Sequence, residues 1–280
     1  MDLQLEGAVV LVTGGSEGIG RASAAAFAAE GAKVVICARR ADKLAEAAQA
    51  IAEETGSRPL VLECDVTQRP SIETLMARIA MEYGRLDVLV NNAGTGIYKG
   101  FAEVTDDELQ RGMDINFFAQ FRVTQAALAL LRTSSRASVV NVAGRTALRG
   151  NFPPGSSCTG PAKAAEVRFS IDLATELAGD GIRVNCVVPG VVASEERFQL
   201  WERQAAATRG AALGAAAVQR RQALEAEAVA PGQRWARPRD VADVIAFIAS
   251  PRAWYVNGAA LTVDGGPHVK SYVTQLHQPT

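Results

Sequence analysis

The sequence predicts a single α/β domain built on one doubly wound parallel sheet with helices on both faces. Short apolar runs rich in β-branched residues alternate with helix-like segments along most of the 280 residues. Such alternation is typical of parallel strands joined by right-handed helical crossovers. Hydrophobic residues make up 48% of the chain, which is enough for a substantial core. Neither a second domain nor a repeat of solenoid period is indicated.

The first strand and the turn after it point to a nucleotide. Residues 9–12 are all apolar and predict a strand buried on both faces. Gly14, Gly18 and Gly20 follow, and glycines at this spacing allow a tight turn, close approach of a ligand and packing of helix on strand. A helix that begins near Ile19 would direct its free N–H groups at a pyrophosphate. The pattern predicts a dinucleotide site, although an ordinary strand-to-helix loop has similar glycines.

The second strand ends in a pair of arginines that bears on the choice of cofactor. The strand is predicted over Lys33–Ala38, and Arg39 and Arg40 follow directly. An acidic residue there would bind a ribose 2′-hydroxyl, whereas an arginine would pair with a 2′-phosphate. The arginines therefore favour NADP(H) over NAD(H). Two arginines in solvent at the start of a helix over 41–54 are the alternative, and the acidic Glu17 does not favour an extra phosphate.

The middle of the chain continues the same alternation. Predicted strands cover 60–64, 86–90 and 138–142, and predicted helices cover 70–84 and 106–132. Asp65 and Val66 follow the third strand, where they would contact the adenine. Asn116 lies within the long helix, where asparagine is a mediocre helix former, and this position favours either a functional role or simple surface exposure.

The last part of the chain holds the segments expected to meet a substrate. A helix is predicted over 162–178, a strand over 183–188, a helix over 239–250 and a final strand over 260–263. Between them, residues 195–232 have few large apolar side chains, and we interpret them as a helical substrate lid or a solvated excursion. Residues 267–280 form a tail that belongs to no predicted element.

Composition excludes several kinds of partner. The formal net charge is −1, so no general attraction to nucleic acid or to an anionic membrane is expected. There is no apolar run of the ~20 residues that span a bilayer, and the first residues lack a signal peptide's pattern, so we expect a cytoplasmic protein. The 4 cysteines have neither zinc-ligand nor disulfide spacing and are expected to be small buried residues.

Several motifs together resemble the classical short-chain dehydrogenase/reductase family. They are TGGSEGIG at 13–20, CDV at 64–66, NNAG at 91–94, Asn116, RVNCVVPG at 183–190 and VDGG at 263–266. The resemblance runs from Gly7 to Gly266 and implies a seven-stranded Rossmann fold, nicotinamide cofactor binding and a homotetramer or homodimer. The cofactor residues that it implies are Gly14, Ser16, Glu17, Gly18, Ile19, Gly20, Arg39, Asp65, Val66, Asn92, Ala93, Gly94, Lys163, Pro189, Gly190 and Val192.

The resemblance also implies a catalytic set that this chain matches only in part. The family uses a serine, a tyrosine, a lysine and an asparagine that supports a water path to the lysine. Lys163 and Asn116 match. Thr159 stands at the tyrosine position, one helical turn before the lysine, and Gly144 stands at the serine position. Threonine is a poor substitute because an aliphatic alcohol is a far weaker acid than a phenol.

Three hypotheses follow from this altered catalytic set. The first is an oxidoreductase that obtains its proton elsewhere, from Tyr98, a residue of the tail, or Lys163 through water, or that reduces an imine, an iminium or a self-activated carbonyl. The second is a lyase, isomerase or cyclase that uses Lys163, Arg145 or the cluster GSSCTG at 155–160, including Cys158. The third is a catalytically inactive, cofactor-binding protein. In each case the expected ligand is a moderately large, partly apolar small molecule, and no metal is expected.

Overall fold

Seven parallel strands form one sheet in the order β3-β2-β1-β4-β5-β6-β7. The computed structural model describes residues 1–150, 155–195, 198–199 and 235–266. The strands are β1 (Val9–Thr13), β2 (Lys33–Ala38), β3 (Leu60–Glu63), β4 (Val88–Asn91), β5 (Ser138–Val142), β6 (Arg183–Pro189) and β7 (Ala260–Val263). The order reverses between β1 and β4, and this arrangement confirms the predicted doubly wound sheet.

Helices cover both faces of the sheet. They are α1 (Gly18–Ala29), α2 (Ala41–Thr55), α3 (Arg69–Tyr83), α4 (Asp106–Met113), α5 (Ala119–Leu131), α6 (Thr159–Glu176) and α7 (Pro238–Ala249). Alternate residues of β1 face two apolar cores, one on each side of the sheet. Val10 and Val12 pack in the core that includes α1, α2 and α7, whereas Val9 and Leu11 pack in the core that includes α3, α5 and α6. A strand that is buried on both faces needs the continuous apolar run seen in the sequence.

The long helix predicted over 106–132 is interrupted. A π-helical turn, Asp114–Phe118, joins α4 to α5 and contains Asn116. Asn116 is fully buried, so the alternative of simple surface exposure is wrong. π-helical turns occur often at functional sites, because the extra residue redirects a side chain. The other predicted bounds hold within a few residues, although α6 begins at Thr159 rather than near Ala162.

The carboxyl ends of the strands meet at one edge of the sheet, where the loops form a cleft. Thr13 helps to hold the edge together: its hydroxyl accepts hydrogen bonds from the backbone N–H groups of Asn92 (3.0 Å) and Ala93 (3.1 Å). The turns after β1 and β4 are thereby fixed side by side. Most of the predicted lid over 195–232 and the whole tail over 267–280 lie outside the described residues.

None of the described helices combines the length and apolarity needed to cross a bilayer. Across the same parts of the chain, the histidine, cysteine, aspartate and glutamate side chains form no group of three that would hold a metal ion.

Candidate active site

A cleft of about 1110 Å³ opens at the carboxyl edge of the sheet. Of the residues predicted to bind a cofactor, all but Gly20 line it. Lys163, Thr159, Gly144 and Tyr98 from the predicted catalytic set line it as well, whereas Asn116 does not. The structure therefore brings together, in one cleft, residues that are up to about 180 positions apart in the sequence, as expected of loops that share one sheet edge.

The glycine-rich turn has the shape that a pyrophosphate needs. Gly14 and Gly18 have positive φ angles of 64° and 55°, in the left-handed region that glycine adopts without strain. Gly20 lies behind the turn, where a Cβ would overlap the carbonyl oxygen of Gly14. Its role is to let α1 pack closely on the turn. The N-terminal N–H groups of α1 then face the cleft, so a phosphate bound there would be stabilised by the helix.

The two arginines after β2 have different environments. Arg40 forms an ion pair of 2.7 Å with Glu17, between Nη2 and Oε2. Arg39 is exposed and lines the cleft. Since Arg40 neutralises Glu17, the carboxylate that alone would repel a phosphate is already paired.

Asp65 and Val66 line the cleft beyond the ends of β2 and β3. The Asp65 carboxylate accepts hydrogen bonds from the backbone N–H of Thr67 (3.0 Å) and from its hydroxyl (2.7 Å). The carboxylate thus shapes the turn that follows β3, and the backbone of this turn forms one wall of the cleft.

Asn116 reaches the cleft through the loop after β4. Its side-chain amide donates to the carbonyls of Thr95 and Gly112, both at 2.9 Å, and its oxygen accepts from the Thr95 N–H at 3.1 Å. A Cβ built on Gly94 would lie 2.8 Å from Asn116 Oδ1 and 3.1 Å from Lys163 Nζ. The two polar groups therefore converge on the same point beside Gly94, and only glycine leaves that space open.

The ammonium of Lys163 is held on the floor of the cleft by a buried carboxylate. Nζ lies 2.9 Å and 3.2 Å from the two carboxylate oxygens of Glu166, and it donates to the Val142 carbonyl at 3.3 Å. Glu166 is fully buried. Desolvation raises the pKa of its carboxyl to about 7, even though the Lys163 charge acts in the opposite direction. Sequence reasoning missed Glu166, although an acidic residue one helical turn after a lysine was a detectable signal.

Thr159 has a structural contact that takes up its hydroxyl. Oγ1 accepts from the Ile97 N–H at 2.8 Å and donates to the Ile97 carbonyl at 2.9 Å. Both the donor and an acceptor site of the hydroxyl are therefore used to fix the loop after β4 to the start of α6. At Gly144 there is no side chain, and a Cβ there would meet only Thr146 Oγ1 at 3.8 Å and Lys163 Cδ at 4.0 Å.

Three other candidates from the sequence have distinct positions. Tyr98 is 41% exposed at the mouth of the cleft, with its ring against Gly96. Arg145 is buried in the cleft wall, and its Nη2 lies 3.8 Å from Asp264 Oδ2. Cys158 does not line the cleft: its Sγ lies 3.5 Å from the Glu108 carbonyl, and burial raises the pKa of the thiol. This position counts against the hypothesis of a covalent Cys158 nucleophile.

The sequence also predicts an apolar and aromatic wall for the substrate, formed by Phe152, Pro153, Pro154, Phe198, Leu200 and Trp201, and the structure describes only part of it. Phe198 is buried and stacks on Trp235, with ring centroids 6.4 Å apart. It belongs to a small cluster rather than to the cleft lining. The other predicted members, Phe152, Pro153, Pro154, Leu200 and Trp201, lie outside the described residues.

Comparison with known proteins agrees with this geometry. A family model described as Enoyl-(Acyl carrier protein) reductase matches residues 14–268. The 3-oxoacyl-(acyl-carrier-protein) reductase FabG of Thermotoga maritima is 33% identical over 94% of this chain and 99% of its own. The chain belongs to the short-chain dehydrogenase/reductase family.

Solved structures support the same assignment. L-sorbose reductase from Gluconobacter frateurii, complexed with NADPH and L-sorbose, has a TM-score of 0.84 at 32% identity and covers 96% of this chain and 99% of its own. A short-chain type dehydrogenase/reductase from Mycobacterium marinum has a TM-score of 0.79 at 29% identity, over 95% of this chain and 97% of its own. Family membership places this short-chain dehydrogenase/reductase among NAD(P)-dependent oxidoreductases.

Proposed function

We propose that this short-chain dehydrogenase/reductase is an NADP(H)-dependent reductase that works without the serine and tyrosine of its family. The observation that carries the proposal is the convergence of Lys163 and Asn116 beside Gly94, in a cleft where Thr159 is bonded to Ile97 and Gly144 has no hydroxyl. The preferred substrate is an imine or iminium, or a carbonyl that is activated by its own substituents.

The cofactor would lie along the carboxyl edge of the sheet. Gly14, Gly18 and the N-terminus of α1 would hold the pyrophosphate, and Asp65 and Val66 would flank the adenine. Arg39 would bind the 2′-phosphate, because its guanidinium is exposed in the cleft and Arg40 already neutralises Glu17. The second half of the cofactor would extend past Asn92, Ala93 and Gly94 toward Pro189, Gly190 and Val192. A bound nicotinamide supplies the hydride.

The substrate class follows from the missing phenol. A placed general acid contributes typically ~10²- to 10⁴-fold, and an aliphatic hydroxyl such as that of Thr159 is too weak an acid to supply it. An iminium already carries the positive charge that protonation would create, so it loses least from the absence of a phenol. Lys163, with its charge at the floor of the cleft, is the residue that would bind cofactor hydroxyls and face the substrate.

The test is consumption of NADPH with three substrate panels: cyclic imines, permanently cationic N-alkyl iminium salts and activated carbonyls. We expect turnover with the iminium salts, and with the activated carbonyls a loss of at least ~100-fold in Lys163→Met, because the carbonyls need a proton donor. Arg168→Met, which changes an exposed cation on the same helix, is the matched control and should leave turnover unchanged. NADPH binding without conversion of any panel member would favour the inactive, cofactor-binding protein, and conversion without net redox change would favour a lyase, isomerase or cyclase.

We further propose that the protein assembles as a homotetramer through the surfaces of α5 and α6. Phe121 and Ile171 are 43% and 40% exposed on these helices. Phe121 packs against Phe169, with ring centroids 5.4 Å apart, so the apolar surface is continuous across both helices. Exposed apolar surface of this kind is typical of an interface.

A further inference from the structure

Glu166 is a buried carboxylate directly behind the lysine of the site. It follows Lys163 by one turn of α6, and its side chain has no exposure to solvent. Both of its oxygens lie within hydrogen-bond distance of Lys163 Nζ, at 2.9 Å and 3.2 Å. Desolvation strongly destabilises a carboxylate in such a place unless it is paired, so its presence needs an explanation.

The groups that face Glu166 from neighbouring elements leave Lys163 as its charged partner. The polar Gln120 side chain of α5 lies near the carboxyl and lowers its pKa, and Cys186 of β6 also lies near it. Burial and the Glu166 charge raise the pKa of the Cys186 thiol to about 12, so this group is neutral near pH 7. Since desolvation raises the pKa of the Glu166 carboxyl to about 7, its charge changes in the range where the enzyme would work.

We propose that Glu166 is a positioning residue that acts through Lys163 and sets whether the Lys163 ammonium releases its proton toward the cleft. This inference rests on the proposed reductase function and deepens it. When the carboxyl is protonated, the ammonium faces a neutral partner and gives up its proton more readily. When the carboxyl is ionised, the ion pair retains the proton on Nζ.

The proton step balances with a carbonyl substrate. A bound reduced nicotinamide would supply the hydride by breaking its own C–H bond and would become oxidised, while a C–H bond forms at the carbonyl carbon and the π electron pair moves to the oxygen. One N–H bond of Lys163 breaks while an O–H bond forms, which leaves a neutral amine and an alcohol. The amine then regains a proton from water in the cleft, so each turnover takes up one proton from solvent.

A permanently cationic iminium separates proton delivery by Lys163 from cofactor binding and hydride transfer, because reduction of this substrate needs no proton. In the wild-type protein, kcat for an activated carbonyl should fall about tenfold per pH unit above about pH 7, whereas kcat for an N-alkyl iminium should change less than about threefold. In Glu166→Gln, kcat for the carbonyl should no longer fall as the pH rises above about 7. Glu176→Gln, which removes an exposed carboxylate of the same helix, should behave like the wild type.

A second readout does not depend on turnover. Infrared difference spectra taken between about pH 6 and about pH 8 should show a protonated-carboxyl band that titrates near pH 7 and is absent in Glu166→Gln. In Lys163→Met, the midpoint should rise by about one unit or more, because the opposing charge is gone.

The outcomes distinguish this inference from the proposed function. Fluorescence titration with NADPH, together with the iminium assay, tests the proposed function alone. The Glu166 inference is overturned if Glu166→Gln keeps the wild-type fall with the carbonyl, or if the wild-type band does not titrate near pH 7. If only iminium salts are reduced, or nothing is, the infrared band and its shift in Lys163→Met decide the inference.

Discussion

At the scale of single residues, the site is defined by what each polar group already contacts. The Thr159 hydroxyl is bonded to Ile97, Arg40 is paired with Glu17, and Glu166 holds Lys163. The sequence located Lys163, Asn116, Thr159 and Gly144 through motif spacing. The spacing of three residues between Lys163 and Glu166 was a signal for their contact, but the burial of Glu166 could not be predicted, because the depth of a side chain depends on the packing of α6 against β6 and α5.

Arg39 tests the cofactor preference. Replacement by alanine removes the exposed guanidinium of the cleft, so the Kd for NADPH should rise by about tenfold or more, which corresponds to the loss of about 1.4 kcal/mol, while the Kd for NADH should change little. Fluorescence titration with both cofactors measures the effect. Arg168→Ala, which removes an exposed arginine that does not line the cleft, should change neither Kd. Equal weakening of both cofactors in Arg39→Ala would show that Arg39 does not recognise the 2′-phosphate.

Glu166 also makes a prediction for stability. The folded-state pKa of the Glu166 carboxyl, about 7, lies above the ordinary value of 4.5. The stabilisation that this carboxyl contributes to the folded state is therefore fully present below about pH 4.5 and is lost as the pH rises through about 7. Relative to Glu166→Gln, the wild-type free energy of unfolding should fall by roughly 3 kcal/mol between these limits. Chemical denaturation of both proteins as a function of pH measures this difference, and parallel curves would contradict the buried, titrating carboxyl.

At the scale of elements, the order and type of the strands and most helices follow from hydrophobic periodicity. The π-helical turn Asp114–Phe118 could not be predicted, because it results from the fit of Asn116 against the loop after β4 rather than from propensity. Thr159 shows the same limitation. Its match to the family's tyrosine position follows from the spacing to Lys163. Its place as the first residue of α6 was not predicted, and its two bonds to the Ile97 backbone depend on the path of a loop more than sixty positions earlier in the chain.

The contact between α6 and that loop can be tested by removing only the hydroxyl. Thr159→Val keeps the shape of the side chain but leaves the N–H and carbonyl of Ile97 without this partner. We expect the free energy of unfolding to fall by about 1–3 kcal/mol, as measured by chemical denaturation. Thr159→Ser retains the hydroxyl and should lose less than about half as much. If valine and serine destabilise the protein equally, the hydroxyl does not fix the loop.

At the scale of the whole molecule, the seven-stranded sheet and its helices were predictable because every element agrees with the same fold. What the sequence alone left open is the surface on which copies would associate. The exposed aromatic side chain of Phe121 lies on α5, close to Phe169 of α6. Burial of a large apolar residue at a subunit interface makes its replacement by a charge costly.

Phe121→Glu should therefore weaken the proposed homotetramer. We expect a smaller species, a dimer or monomer, by size-exclusion chromatography with light scattering at micromolar concentration, whereas the wild type should elute as a tetramer. Met81→Glu, which changes an exposed apolar residue on α3, should leave the tetramer intact. A wild-type monomer, or a tetramer that survives Phe121→Glu, would contradict this assembly.

The central claim is that a nicotinamide cleft without the family's tyrosine still supports reduction. Its most direct test is the rate of NADPH consumption by the wild-type protein with N-alkyl iminium salts and activated carbonyls, measured beside the Lys163→Met variant. We expect stand-alone turnover of the iminium salts, and turnover of the activated carbonyls that depends on Lys163. NADPH that binds but is never consumed with either substrate class, or carbonyl turnover that persists unchanged in Lys163→Met, would contradict this claim.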